Sequence, residues 1–133
     1  MTRIFGLPKQ ERLKSRKLIE SVFSGGKSFM VYPLRVTYIF DQETPHGIQA
    51  GFSASKKLFR KAVDRNHAKR RLREAYRLQK QELVAHVTCL GIRCLVFFIY
   101  TGKEKAQYKE VYASMSKALL LLKNKIRVDG KPV

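Results

Sequence analysis

Apolar residues recur at three- and four-residue steps early in the chain. Between about Glu11 and Phe23 they fall at Leu13, Leu18, Ile19, Val22 and Phe23, and Gly25-Gly26 follows. That spacing predicts a short helix stopped by the glycines. Two alternating runs come next. Leu34, Val36, Tyr38 and Phe40 share one strand face opposite Arg35, Thr37 and Ile39; Ile48, Ala50, Phe52 and Ala54 then alternate with Gln49, Gly51, Ser53 and Ser55. Asp41 to Gly47 between them is turn-like, so the pair predicts an antiparallel hairpin with one apolar and one small, polar face. From Ala62 to roughly Val84 the period is helical. The run Cys94–Tyr100 is apolar throughout, as expected of a strand buried on both faces. Tyr108, Val111, Tyr112, Met115, Leu119, Leu122 and Ile126 mark a last amphipathic helix.

The expected order is α-β-β-α-β-α, with room for another short strand near Phe29–Tyr32. This is a single α+β domain over residues 1–133, its sheet on one side and its helices on the other, with residues 1–10 and 127–133 as loose tails. A length of 133 residues suits one core.

Charge changes the picture at the helix from Ala62 on. At 100° per residue, Ala68, Leu72, Ala75, Tyr76, Gln79 and Leu83 share one arc. Lys69, Arg70, Arg73, Arg77 and Lys80 share a neighbouring arc with Asn66, and Arg65 lies near the boundary. The whole chain carries 28 Lys and Arg against 10 Asp and Glu, a formal charge of +18. Eleven of those cations lie between Lys56 and Lys80, offset only by Asp64 and Glu74. Ordinary helix faces mix both signs to gain i,i+4 pairs. A face with almost no acids needs an outside polyanion, and nucleic acid fits best because phosphates bring contacts and release counterions. An anionic membrane fits less well, since the helix's other face is needed against the sheet.

Several chemistries find no support. No apolar run approaches the ~20 residues of a membrane span, and no signal-peptide stretch follows the basic start, so a cytoplasmic location is expected. Cys89 and Cys94 read as reduced thiols in an apolar context, and with His46, His67 and His86 scattered they form no zinc site. There is no glycine-rich phosphate loop, no GxSxG elbow and no repeat. Helix-turn-helix spacing, zinc-finger spacing and heptads are also lacking around the basic helix, whereas A-form RNA can be bound by shape and backbone.

The stretch SASKKLFRKAVDRNHAKRRLREAYR resembles the signature of the bacterial ribonuclease P protein subunit, which reads roughly SKK, a short linker, then AVxRNRxKRxxRE. Ser55-Lys56-Lys57, Ala62-Val63, Arg65-Asn66, Lys69-Arg70 and Arg73-Glu74 carry the match. RLKSRKLIESVFSGG resembles that family's first helix and GFSASKK its last hairpin strand, so the likeness runs from Arg12 to about Leu122. Three features depart from the pattern. His67 stands at the third position of the RNR triplet, Ile19 stands where an aromatic residue is common, and the linker Leu58–Lys61 is longer and more basic.

The resemblance implies 5′ maturation of precursor tRNA by an α/β sandwich whose basic helix makes a left-handed βαβ crossover. Hydrolysis would be carried out by the RNA subunit with magnesium, with no cofactor, metal or catalytic residue assigned to this chain. Its partners would be ribonuclease P RNA and precursor tRNA, with no membrane and no obligate protein partner. RNA-binding residues would be Lys56, Lys57, Arg60, Lys61, Arg65, Asn66, His67, Lys69, Arg70, Arg73 and Arg77. The 5′ leader would follow a groove of Ile19, Phe23, Arg35, Thr37, Ser53 and Ser55. The residues themselves allow such a track, because Thr37, Gly51, Ser53 and Ser55 leave room for an extended strand. Ile19 and Phe23, one helical turn apart, could line its rim or simply fix the helix on the sheet. Two other functions remain open: a protein-only nuclease, with Asp41 and Glu43 as the nearest carboxylate pair, and a ribosomal or general RNA-binding protein.

Overall fold

The continuously apolar run ending at Tyr100 becomes an interior strand with neighbours on both sides, and the rest of the fold follows from that. The computed structural model describes residues 11–55, 61–102 and 107–126. Chain order is α1 (Arg16–Gly25), β1 (Lys27–Val31), β2 (Leu34–Asp41), β3 (Gly47–Ala54), α2 (Ala62–Gln79), α3 (Gln81–Leu90), β4 (Arg93–Tyr100) and α4 (Tyr108–Asn124). The expected tails, together with Lys56, Lys57 and Arg60, lie outside the described residues.

The sheet order is β1-β2-β4-β3. β1 pairs antiparallel with β2, β2 antiparallel with β4, and β3 parallel with β4. The expected hairpin between β2 and β3 is therefore not formed, although the two strands do run in opposite directions. β4 occupies the slot between them, because the most apolar strand gains most from burial on both faces and both edges. The hairpin present is β1–β2, turning at Tyr32-Pro33. The parallel pair β3–β4 is connected through α2 and α3, giving the expected βαβ unit around the basic helix.

Strand alternation sends Leu34, Val36 and Tyr38, Ile48, Ala50 and Ala54, and Cys94, Val96, Phe98 and Tyr100 to one face. There they meet Ala68, Leu72, Ala75 and Tyr76 of α2, Leu83 and Val87 of α3, and Val111, Met115 and Leu122 of α4. Phe98 lies between Phe52, with ring centres 5.8 Å apart, and Tyr76, at 5.5 Å. Burial pushes the Tyr76 hydroxyl and the Cys94 thiol well above their ordinary pKa values, so both stay neutral.

The helices do not all lie on that face. α1 crosses the opposite one, where Val22 packs with Leu13 and Leu95, flanked by Leu18, Ile19, Ile39 and Phe97. A central strand apolar on both faces leaves a second apolar surface, and α1 covers part of it. The helix also starts later than the spacing suggested. Ser15 caps it, its Oγ accepting from the Leu18 N–H at 3.4 Å. The preceding residues instead lie along the free edge of β3: the Leu13 N–H donates to the Ala50 carbonyl at 2.9 Å, and Arg12 bridges Ala50 in parallel.

The long helix expected from Ala62 to Val84 is two helices that divide at Lys80. Lys80 is only 4% exposed, and its Nζ donates to Glu11 Oε1 at 2.5 Å. That inward pull removes Lys80 from the solvent-facing basic arc. α3 ends at Gly91, whose left-handed φ of 64° favours glycine.

Candidate nucleic-acid interface

Two surfaces remain open around this framework. The first is the outer side of α2, whose buried arc is the expected one: Ala68, Leu72, Ala75 and Tyr76. At 100° per residue, Arg65, Lys69, Arg73 and Lys80 share one flank. Because Lys80 reaches Glu11, that flank faces the edge of β3 and the strand-like segment beside it. The other flank, with His67, Arg70, Arg71 and Glu74, faces the start of α4 at Tyr108. Lys61, next to the first turn, is exposed, as are Asn66, Arg70 and Arg73, while Arg65, His67, Lys69 and Arg77 are half-buried.

Internal ion pairs absorb five of the eight acids among the described residues. Glu11 pairs with Lys80, Asp41 and Glu43 with Arg93, Glu74 with Arg77, and Glu82 with Lys123. The hydrogen bond from Arg77 holds the Glu74 carboxyl below the usual range. Among the described residues no ion pair engages Lys69, Arg70 or Arg73. Arg77, grouped with them by sequence, instead shares its charge with Glu74. Asp41 and Glu43, the carboxylates closest to a metal-binding pair in the sequence, are engaged by Arg93 at 2.6 and 3.0 Å. No group of three or more His, Cys, Asp or Glu among the described residues could hold a metal ion.

The second surface is the part of that sheet face that α1 leaves uncovered among the described residues. Two rungs cross it: Ser28, Thr37, Phe97 and Gly51 in one, Met30, Arg35, Ile99 and Ser53 in the next. Arg35 is exposed, Ser53 and Ser55 are half-buried, and Met30 is 55% exposed. Thr37 is closed off, its hydroxyl 3.1 Å from that of Ser28. Phe23 forms the α1 wall, 49% exposed, its ring centre 5.1 Å from that of Phe97. Ile19 sits deeper and packs on the Leu95 cluster, so of the two rim candidates Phe23 is the one that opens to solvent.

Phe97, Ile99 and Met30 were not expected in this floor. A uniformly apolar strand hides which positions face which side, but Gly51 carried the signal. A Cβ there would come within 2.5 Å of the Phe97 ring, so the missing side chain lets that ring lie across the strand. Arg71 and Tyr108 were likewise not expected at the interface. The Arg71 guanidinium lies 5.7 Å from the centre of the Tyr108 ring. Burial raises the Tyr108 phenol above its ordinary value, keeping it neutral.

The two surfaces meet at one end of the molecule. β3 finishes at Ala54 and β4 at Tyr100, while α2 begins at Ala62 on the return from β3. Arg35, Ile99, Ser53 and Ser55 therefore lie toward the end from which α2 starts.

The relatives match this architecture. Residues 7–123 match the family model described as Ribonuclease P. A Porphyromonas gingivalis protein described as ribonuclease P protein component is 41% identical over 117 residues, 87% of this chain and 85% of that one. Solved structures of the ribonuclease P proteins of Staphylococcus aureus and Thermotoga maritima share the fold. Their TM-scores are 0.65 and 0.52 at 21% and 24% identity, covering 84% and 88% of this chain and 94% and 98% of theirs. No helix among the described residues is long and apolar enough to cross a membrane. The chain belongs to the ribonuclease P protein family, the RNA-binding components of a tRNA-processing ribonucleoprotein nuclease.

Proposed function

We propose that this chain acts in the cytoplasm as one RNA-binding domain that docks on ribonuclease P RNA through α2 and guides the 5′ leader of precursor tRNA along the α1–sheet groove. Lys69, Arg70 and Arg73, with Lys61, Arg65, Asn66, His67 and Arg77 around them, contact RNA phosphates, and Lys56, Lys57 and Arg60, which precede them in the sequence, add further cationic contacts. Arg35 steers the leader backbone over the small residues Ser53 and Ser55. Phe23 and Phe97 give a passing base an aromatic surface, worth ~1–3 kcal/mol per stacked base. Magnesium, when bound in the RNA-containing complex, supplies charge neutralisation and an activated water there. The chain's own residues bind and orient, and the cleavage chemistry belongs to the RNA subunit.

The observation that carries this reading is the shared end of the two surfaces. RNA held at the start of α2 emerges beside the open groove, so one protein can hold the enzyme's RNA and the substrate's leader together. Reconstitution with a ribonuclease P RNA at low magnesium tests it, using precursor tRNAs with long and one-nucleotide leaders. The protein is expected to raise cleavage and to tighten binding of the long-leader substrate more than the short. Equal behaviour of the two substrates would remove the groove assignment. No stimulation at all would favour a general RNA-binding role.

A further inference from the structure

Between α2 and the start of α4 lies a hollow of about 580 Å³ bordered by His67, Arg70, Arg71, Glu74 and Tyr108. A second hollow of about 270 Å³ adjoins it at His67 and Arg70 and extends to Val63 and Asn66. Together they form a trough along the flank of α2 turned away from β3 and from the leader groove. Val63 stands 76% exposed at one end, an apolar side chain without an obvious role on a cationic helix.

Arg71 is held in this trough from two directions. Its Nε donates to His67 Nε2 at 3.3 Å, and its guanidinium lies over the Tyr108 ring. Tyr108 is itself backed by Tyr112, with ring centres 5.9 Å apart. A guanidinium fixed by one nitrogen and one face loses little further freedom when a second flat group lands on its other face. The histidine at position 67 therefore has a positioning role, one turn before the arginine it orients. Arg70 is exposed beside it, and the Glu74 carboxylate at the far wall pushes an anion toward the Arg70 end.

We propose that this trough is a nucleotide subsite that takes one unpaired nucleotide of the partner RNA, its base stacked on the Arg71 guanidinium backed by Tyr108 and its phosphate against Arg70. The choice of RNA as source rests on the function proposed above. The chemistry of the subsite does not, and can be tested on the protein alone. Stacking on arginine planes and aromatic rings is how single-stranded bases are bound without sequence reading.

The test compares adenosine 5′-monophosphate with ribose 5-phosphate, two probes of equal charge that differ by the base. Binding is followed by amide and side-chain NMR shifts. The nucleotide is expected to bind on the order of tenfold tighter, with shifts centred on Arg71 and Tyr108. Arg71→Lys keeps the charge and removes the plane, so it should abolish the preference of the site for the nucleotide over ribose 5-phosphate. Tyr108→Leu should reduce the preference in the same direction. His67→Ala should weaken it and His67→Gln, which retains an acceptor, should restore part of it. Equal binding of the two probes, or a preference that survives Arg71→Lys, overturns the proposal. Failure of the reconstitution assay would not touch these outcomes, nor they it.

Discussion

The two faces of the sheet are built from the same strands and end in opposite conditions. On one, Phe98 is sealed between Phe52 and Tyr76 under three helices. On the other, its neighbour Phe97 lies across Gly51 with Phe23 beside it, and among the described residues the ten-residue α1 covers only part of the surface. Successive residues of one strand thus serve stability and exposure separately. Aromatic surface can be offered to a ligand only because the opposite face supplies enough burial to hold the strands in place.

The largest effect should come from breaking the sealed face. Phe98→Ala is expected to cost ~3–5 kcal/mol in chemical denaturation, because no solvent or flexible segment can fill the space. Phe23→Ala should cost only about 1 kcal/mol, the scale of one aromatic pair. It should nonetheless weaken binding of long-leader precursor tRNA in the reconstituted complex. If Phe23→Ala destabilises the protein as much as Phe98→Ala, both faces are core and the comparison collapses.

A second contrast lies within α2. Lys80 and Arg73 share a flank, yet one is buried against Glu11 and the other is exposed. Lys80→Ala should lower stability by ~1.5–3 kcal/mol, the range for a hydrogen bond to a charged group, and leave the salt dependence of RNA binding nearly unchanged. Arg73→Ala should leave the melting temperature within error and flatten the slope of log K against log salt by ~1. An unchanged slope for Arg73→Ala would make that face merely solvated.

The smallest effect is on acidification. Arg77 holds Glu74, and Lys123 holds Glu82, below the ordinary carboxyl range. A carboxyl whose folded pKa is depressed stabilises the fold above the unfolded value, ~4.3 for Glu, and that contribution is lost as pH falls through the folded value. Melting temperature should therefore drop modestly below about pH 4, and less so in Glu82→Gln. Both groups are largely exposed, so screening keeps the difference small.

Much of this was legible in the chain. Periodicity located the strands and the buried arc of α2, and the unbroken run at Cys94–Tyr100 marked the central strand. Alternation reports which face a residue takes but not which strand lies next to it, so β2 and β3 were paired with each other when β4 belongs between them. The same uniformity hid Phe97 and Ile99, whose outward side only the neighbouring Gly51 betrays. Nothing local marks the division at Lys80, which depends on a carboxylate sixty-nine positions earlier. Charge counting therefore credited the solvent face with a buried lysine. The Arg71–Tyr108 contact was invisible for the same reason, since it joins two helices separated in sequence by α3 and β4.

The strand order also bears on how the protein assembles. β4 is the last strand among the described residues and lies inside the sheet, between β2 and β3. As the chain leaves the ribosome, β1, β2, β3 and α2 exist before the strand that joins them, and β2 and β3 each wait with an unsatisfied edge. The sheet can close only once β4 arrives, through contacts distant in sequence, which is the slow class of folding step. A growing chain with a cationic helix and open strand edges is also one that an RNA partner can engage before the fold is complete.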